Sequence, residues 1–120
     1  MMAAASMLDT RTADALKQAV AAVQVGDIAR ARTVAQAALA AGGDAVALNA
    51  FLGMVLARQN DFDGAARHLA AAHERRPDDA TIACNLIAVL IDKGDLAAAL
   101  DVAGLDRALA DPSLRIARYR

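Results

Sequence analysis

Aromatic side chains are nearly missing from this chain: two Phe, one Tyr and no Trp in 120 residues. That leaves no platform on which bases stack, and a formal net charge of -1 supplies no field to gather phosphates, so nucleic acid is excluded as a partner. Cysteine is equally scarce. Cys84 stands alone, which rules out an internal disulfide and the multi-cysteine zinc patterns, agrees with a reducing compartment, and reads as a small buried hydrophobe. Long apolar runs are absent too: the stretch Ile82 to Ile91 is interrupted by Asn85 and stopped by Asp92, well short of the roughly 20 residues that span a bilayer. Met1 to Leu8 has no basic flank and does not read as a secretory signal. The expectation is a soluble, cytoplasmic protein with no membrane partner.

The motifs of catalysis are missing as well. No glycine loop that cradles phosphate, no nucleophile elbow and no serine, histidine and aspartate set occurs at a workable spacing. His68 and His73 are five apart, not the four that chelate zinc from one helix face, and read as surface histidines. No enzyme activity, cofactor or metal is expected.

What the chain has instead is alanine. Hydrophobic residues make up 58% of the sequence with hardly any aromatic share, a composition that favours helix and lets helices pack closely, so the fold class is all-α. The length fits one domain. Arginine far outnumbers lysine, a coding bias of GC-rich bacterial genomes. The composition also carries a beat: Gly26-Asp27-Ile28 recurs as Asn60-Asp61-Phe62 and again as Gly94-Asp95-Leu96. A fixed period of this size signals stacked helical repeats.

Between these punctuation marks the helices follow. The first begins at Thr10 or Thr12, after a flexible leader over 1–11, and ends at Gly26. Asp27, Asp44, Asp61, Asp78 or Asp79, and Asp95 stand at helix starts, where a carboxylate caps free backbone N–H groups; they read as caps and not as catalytic acids. The second helix stops at Gly42-Gly43, the fourth stops ahead of Pro77, and the sixth becomes irregular at Gly104. The result is an α-solenoid of three antiparallel helix pairs over 12–112, with 113–120 as a short capping or linker helix. Small alanine cores bury little area, so a homodimer is expected to compensate.

The middle repeat carries Leu52-Gly53, Leu56, Ala65, Leu69, Ala72 and Pro77 in a spacing that resembles the tetratricopeptide repeat family. The first repeat keeps Ala19, Gly26, Ala31, Ala35 and Ala38. The third keeps Leu86, Leu90, Gly94 and Ala99 but has Ile87 in the small slot and Asp106 in the second alanine slot. The resemblance implies a right-handed superhelix whose concave groove is formed by the first helix of each pair. Carried over, that groove is lined by Ala13, Leu16, Lys17 and Val20, then Ala47, Ala50, Phe51, Met54 and Arg58, then Thr81, Cys84, Asn85 and Ala88. Family members that clamp the carboxyl terminus of chaperones place lysines, arginines and asparagines in these slots. Only Lys17, Arg58 and Asn85 answer here, which argues against that clamp.

The implied function is a non-catalytic protein-binding scaffold that takes a peptide or amphipathic helix in an apolar groove. The segment comes from another protein, a second copy, or the chain's own C-terminal region. A different expectation is the N-terminal repeat region of a longer bacterial enzyme, for example a transferase, motivated by the open run Arg118-Tyr119-Arg120.

Overall fold

The computed structural model describes residues 2–104, with side chains from Thr10 onward. Regular structure among them is helical throughout: α1 (Met2–Gln24), α2 (Ile28–Ala40), α3 (Ala45–Arg58), α4 (Phe62–Arg75), α5 (Ala80–Lys93) and α6 (Leu96–Ala103). The helix expected over 113–120, Asp106, Pro112 and the basic tail residues Arg115, Arg118 and Arg120 lie outside the described residues.

One joint is built three times. At the end of α1, Gly26 takes φ 84°, its N–H reaches Val23 O at 3.0 Å, and the N–H of Asp27 reaches back to Ala22 O at 2.8 Å. Asn60 (φ 62°) and Gly94 (φ 91°) repeat this at the ends of α3 and α5, with Asp61 bonded to Leu56 O and Asp95 to Leu90 O. Paired backward bonds around a left-handed residue satisfy carbonyls that a helix end would leave bare. The aspartate that follows then caps the next helix: Asp27, Asp61 and Asp95 accept from the N–H of Arg30, Gly64 and Ala98 at 3.0–3.1 Å. Asp44 and Asp79 cap α3 and α5 in the same way. With so few residues between helices, each must fold back antiparallel on the last, and contacts run between consecutive helices with lighter ones from α1 to α3 and from α3 to α5.

The start of α1 differs from the sequence expectation. No helix start falls at Thr10 or Thr12, because α1 runs unbroken from Met2. The alanine-rich stretch holds no glycine or proline that would interrupt it. Thr12 is buried, and its hydroxyl accepts the N–H of Asp44 at 3.0 Å, pinning the second pair's entry to the first pair. Gly43 makes room for that contact: a Cβ there would meet Thr12 Oγ1 at 2.7 Å and Leu48 Cδ1 at 2.9 Å.

The core is uneven along the stack. The first pair holds Ala19, Ala22 and Ala31, flanked by Val23, Val34 and Phe51. Ala35, Leu48 and Leu52 join the first pair to the second. Leu56, Ala65, Ala66, Leu69, Leu86, Val89, Leu90 and Ala99 fuse the second pair with the third. At the crossing inside each pair the equivalent residues are Ala19 with Ala35, then Gly53 with Leu69, then Ile87 with Ala103. All four residues of the first two couples are buried. Gly53 admits Leu69 because a Cβ on it would overlap Leu69 Cγ and approach Cδ2 to 2.9 Å. The third repeat places the bulk on the opposite helix.

Candidate functional site

Side by side, α1, α3 and α5 form one wall of the stack, and two hollows open on it. The first, of about 660 Å³, lies between α1 and α3 and is lined by Val20, Val23, Gln24, Phe51, Met54, Val55 and Arg58. The second, of about 210 Å³, lies between α3 and α5, with Met54, Arg58, Asn85, Ala88 and Asp92 on its walls and Gly53 and Leu69 among the residues beneath. Met54 and Arg58 belong to both, so the hollows are consecutive stations of one groove.

Repeat register explains this arrangement. Val20, Met54 and Ala88 occupy one place in the three repeats, Lys17, Phe51 and Asn85 another, and Gln24, Arg58 and Asp92 a third. One helical turn separates these rows, and residues three or four apart share a face. Val20 and Met54 are 44% and 49% exposed, large apolar side chains left open to solvent on that face. Phe51 is half-buried and touches both the first-pair cluster and the Ala35, Leu48 and Leu52 cluster, so it serves the core while presenting an edge to the first hollow.

Of the sequence-derived lining, Val20, Phe51, Met54 and Arg58 meet in the first hollow, and Met54, Arg58, Asn85 and Ala88 in the second. Lys17, Thr81 and Cys84 are exposed but line neither hollow. Leu16 is a correction: it packs against Ala35, Leu48 and Leu52, turned into the core by the helix rotation that exposes Lys17. Cys84 is exposed, not the buried hydrophobe its isolation suggested, since its neighbours Ile82 and Leu86 take the core-facing side of α5. Gln24 and Asp92 are absent from the carried-over lining. The signal for them was present, because they fall one turn beyond Val20 and Ala88 in register with Arg58.

The groove's charge is sparse. Arg58 and Asp92 are both exposed, and the ion pair found among the described residues joins Lys93 Nζ to Asp63 Oδ1 at 3.0 Å. Arg58 therefore faces the junction of the hollows without a carboxylate partner among the described residues.

Histidine placement also differs from the sequence expectation. His68 and His73 are half-buried rather than surface residues. His68 Nδ1–H donates to Asn49 Oδ1 at 2.7 Å, and Asn49 Nδ2 donates to the carbonyl of Ala45 at 2.7 Å. Asn49 is buried on the side of α3 that meets α4, so this chain of bonds ties the second pair together away from the groove. Burial lowers the His68 pKa from 6.5, Arg67 lowers it further, and Asp61 opposes them. His73 Nδ1 is buried with no hydrogen-bond partner. Among the described residues no three His, Cys, Asp or Glu side chains gather as a metal site, and no helix is long and apolar enough to cross a membrane.

Comparison with known proteins fits this picture of paired helices and small crossing residues. The family model of the tetratricopeptide repeat matches residues 16–80 and 52–113. No curated protein and no solved structure matches the chain. A left-handed turn followed by a capping aspartate, recurring in step with the buried leucines and alanines over most of the sequence, is the physical content of that match: the chain belongs to the tetratricopeptide repeat family.

Proposed function

We propose that this chain is a non-catalytic interaction module that holds an amphipathic helix or apolar peptide along the wall formed by α1, α3 and α5. Tetratricopeptide repeats generally mediate contacts between proteins. The observation that carries the reading is the pair of consecutive hollows sharing Met54 and Arg58. The first has room for a large apolar side chain against Val20, Val23 and Phe51. The second is smaller, and its Asn85 is able to bond a bound backbone. Methionine between them adapts to varied shapes. Arg58 at the junction favours an occupant that carries a carboxylate between its two apolar anchors.

Selection of a displayed random-peptide library on the immobilised protein tests this. Enriched peptides should share two apolar residues flanking an acidic one. Met54→Glu and Val20→Glu should each weaken their binding about tenfold or more, as loss of an interface anchor does. Both positions are half exposed, so helix content should hold. Enriched peptides that bind both variants as well as the parent would place the binding surface elsewhere.

A further inference from the structure

Two opposite charges on the groove have no ion-pair partner among the described residues. Arg58 and Asp92 occupy the same place in successive repeats and both line the second hollow, yet they are not paired with each other. Asp92 is the more telling of the two. It stands in the last turn of α5, the end at which a helix disfavours negative charge, whereas Arg58 stands in the last turn of α3, where a cation is favoured. The cation beside Asp92 is committed elsewhere, since Lys93 Nζ reaches Asp63 Oδ1 at 3.0 Å. A carboxylate placed against local preference and unused by the fold marks a position kept for another reason. Size changes along the groove as well. The hollow beside α1 is about 660 Å³, with Val20 and Phe51 on its walls, and the one beside α5 is about 210 Å³, with Ala88 in the place of Val20.

We propose that the groove is directional and takes a segment of mixed charge: a large apolar residue in the hollow beside α1, a carboxylate at Arg58, and a lysine or arginine at Asp92. The assignment rests on the interaction module proposed above and deepens it, because an apolar channel alone accepts an occupant in either sense. Charge complementarity supplies the choice. From α1 to α5 the row Gln24, Arg58, Asp92 runs neutral, positive, negative. Reversed, the occupant would press its large residue into the smaller hollow and leave Asp92 unanswered. Neighbouring packed helices lie about 8–10 Å apart, so the acid and the base are separated by about three residues in an extended occupant and about six in a helical one.

Exchanging the charges tests it, with Arg58→Glu and Asp92→Arg made together in the full chain. Both side chains are exposed, and what α3 loses at its C-terminal turn α5 gains, so helix content should hold. A displayed random-peptide library is selected on the parent and on the exchanged protein in parallel. Parent peptides should carry the acid between the large apolar residue and the base, and peptides from the exchanged protein should carry the base there and the acid beyond it. Each set should bind the other protein about tenfold or more weakly, as like charges set against each other do. Raising the salt concentration should narrow that difference. Asp92→Asn alone provides a milder version should the exchange lower helix content: the base should vanish from the enriched peptides while the acid stays. Peptides that lose binding to Met54→Glu but show no fixed order of charges, or bind parent and exchanged protein equally, would overturn the directional proposal and leave the groove standing. Peptides that ignore Met54→Glu, or a library that yields none, would overturn both.

Discussion

Gly53 and Leu69 show how one crossing in this fold is decided by a single methyl group. Alanine at 53 would gain about 1 kcal/mol in helix propensity, yet its Cβ would press on the fully buried Leu69, and overpacking of this kind costs about 1–3 kcal/mol. The strain wins, so Gly53→Ala should lower stability by about 1 kcal/mol in urea unfolding. Adding Leu69→Ala should cost less than the sum of the two changes, because the pair would then match the Ala19 and Ala35 crossing of the first repeat. An additive double mutant would show that the two residues do not share the strain. His68 sets a second expectation. Its folded pKa lies below 6.5, so the unfolded chain takes up the proton first. Its contribution is complete above pH 6.5 and is lost as pH falls through the lowered folded value. Thermal midpoints should therefore decline below 6.5 in the parent and stay flatter in His68→Gln over the interval before carboxylates titrate. Parallel curves for the two proteins would remove His68 from the account. The capping aspartates were legible in the sequence because a cap is read from its immediate neighbours. Thr12, Asn49 and His68 were not, since each has a hydrogen-bond partner many positions away, outside its own helix.

At the scale of elements, the two halves of the stack are unequally anchored. The cluster in the first pair is built of Ala19, Ala22 and Ala31, whereas the second pair contributes Leu48, Leu52, Leu56 and Leu69. A buried alanine methyl is worth about 0.8 kcal/mol and a buried leucine about 1.5–3 kcal/mol, a gap that separates Ala22 from its counterpart Leu56 and Ala35 from Leu69. Amides in α1 and α2 should therefore exchange with deuterium faster than those in α3 and α4, and equal protection across the four helices would contradict this ranking. Phe51 offsets part of the difference by touching both clusters around it. Helix ends were readable from Gly26, Gly94 and Asp61, and even Asn60 was marked by its place in the period. The start of α1 was not, because nothing local separates a helix that begins at Met2 from one capped at Thr10 or Thr12. The groove was legible as rows of positions. Its division into two hollows was not, since that depends on how far α1 and α5 lean from α3.

Across the whole molecule, the stack measures 45 × 35 × 20 Å, and its thinnest dimension corresponds to two layers of helices about 10 Å thick. Contacts run between helices that follow one another in the chain, so little closure entropy stands in the way of folding. Refolding after dilution from urea should be complete within milliseconds, as monitored by stopped-flow circular dichroism. A dominant phase of seconds would imply an ordering step between distant parts that the contact pattern does not contain.

The joint built around Gly26, Asn60 and Gly94 gives this molecule a unit of growth. Each joint is closed by atoms that lie within a few residues of it, so it carries no information about where in the stack it sits. A duplication of one whole period in the gene would thus insert a pair already equipped with its own turn and cap. The wall would lengthen by one station, and the joints on either side would be unchanged. Reach, in a protein of this kind, is adjustable by copying rather than by invention.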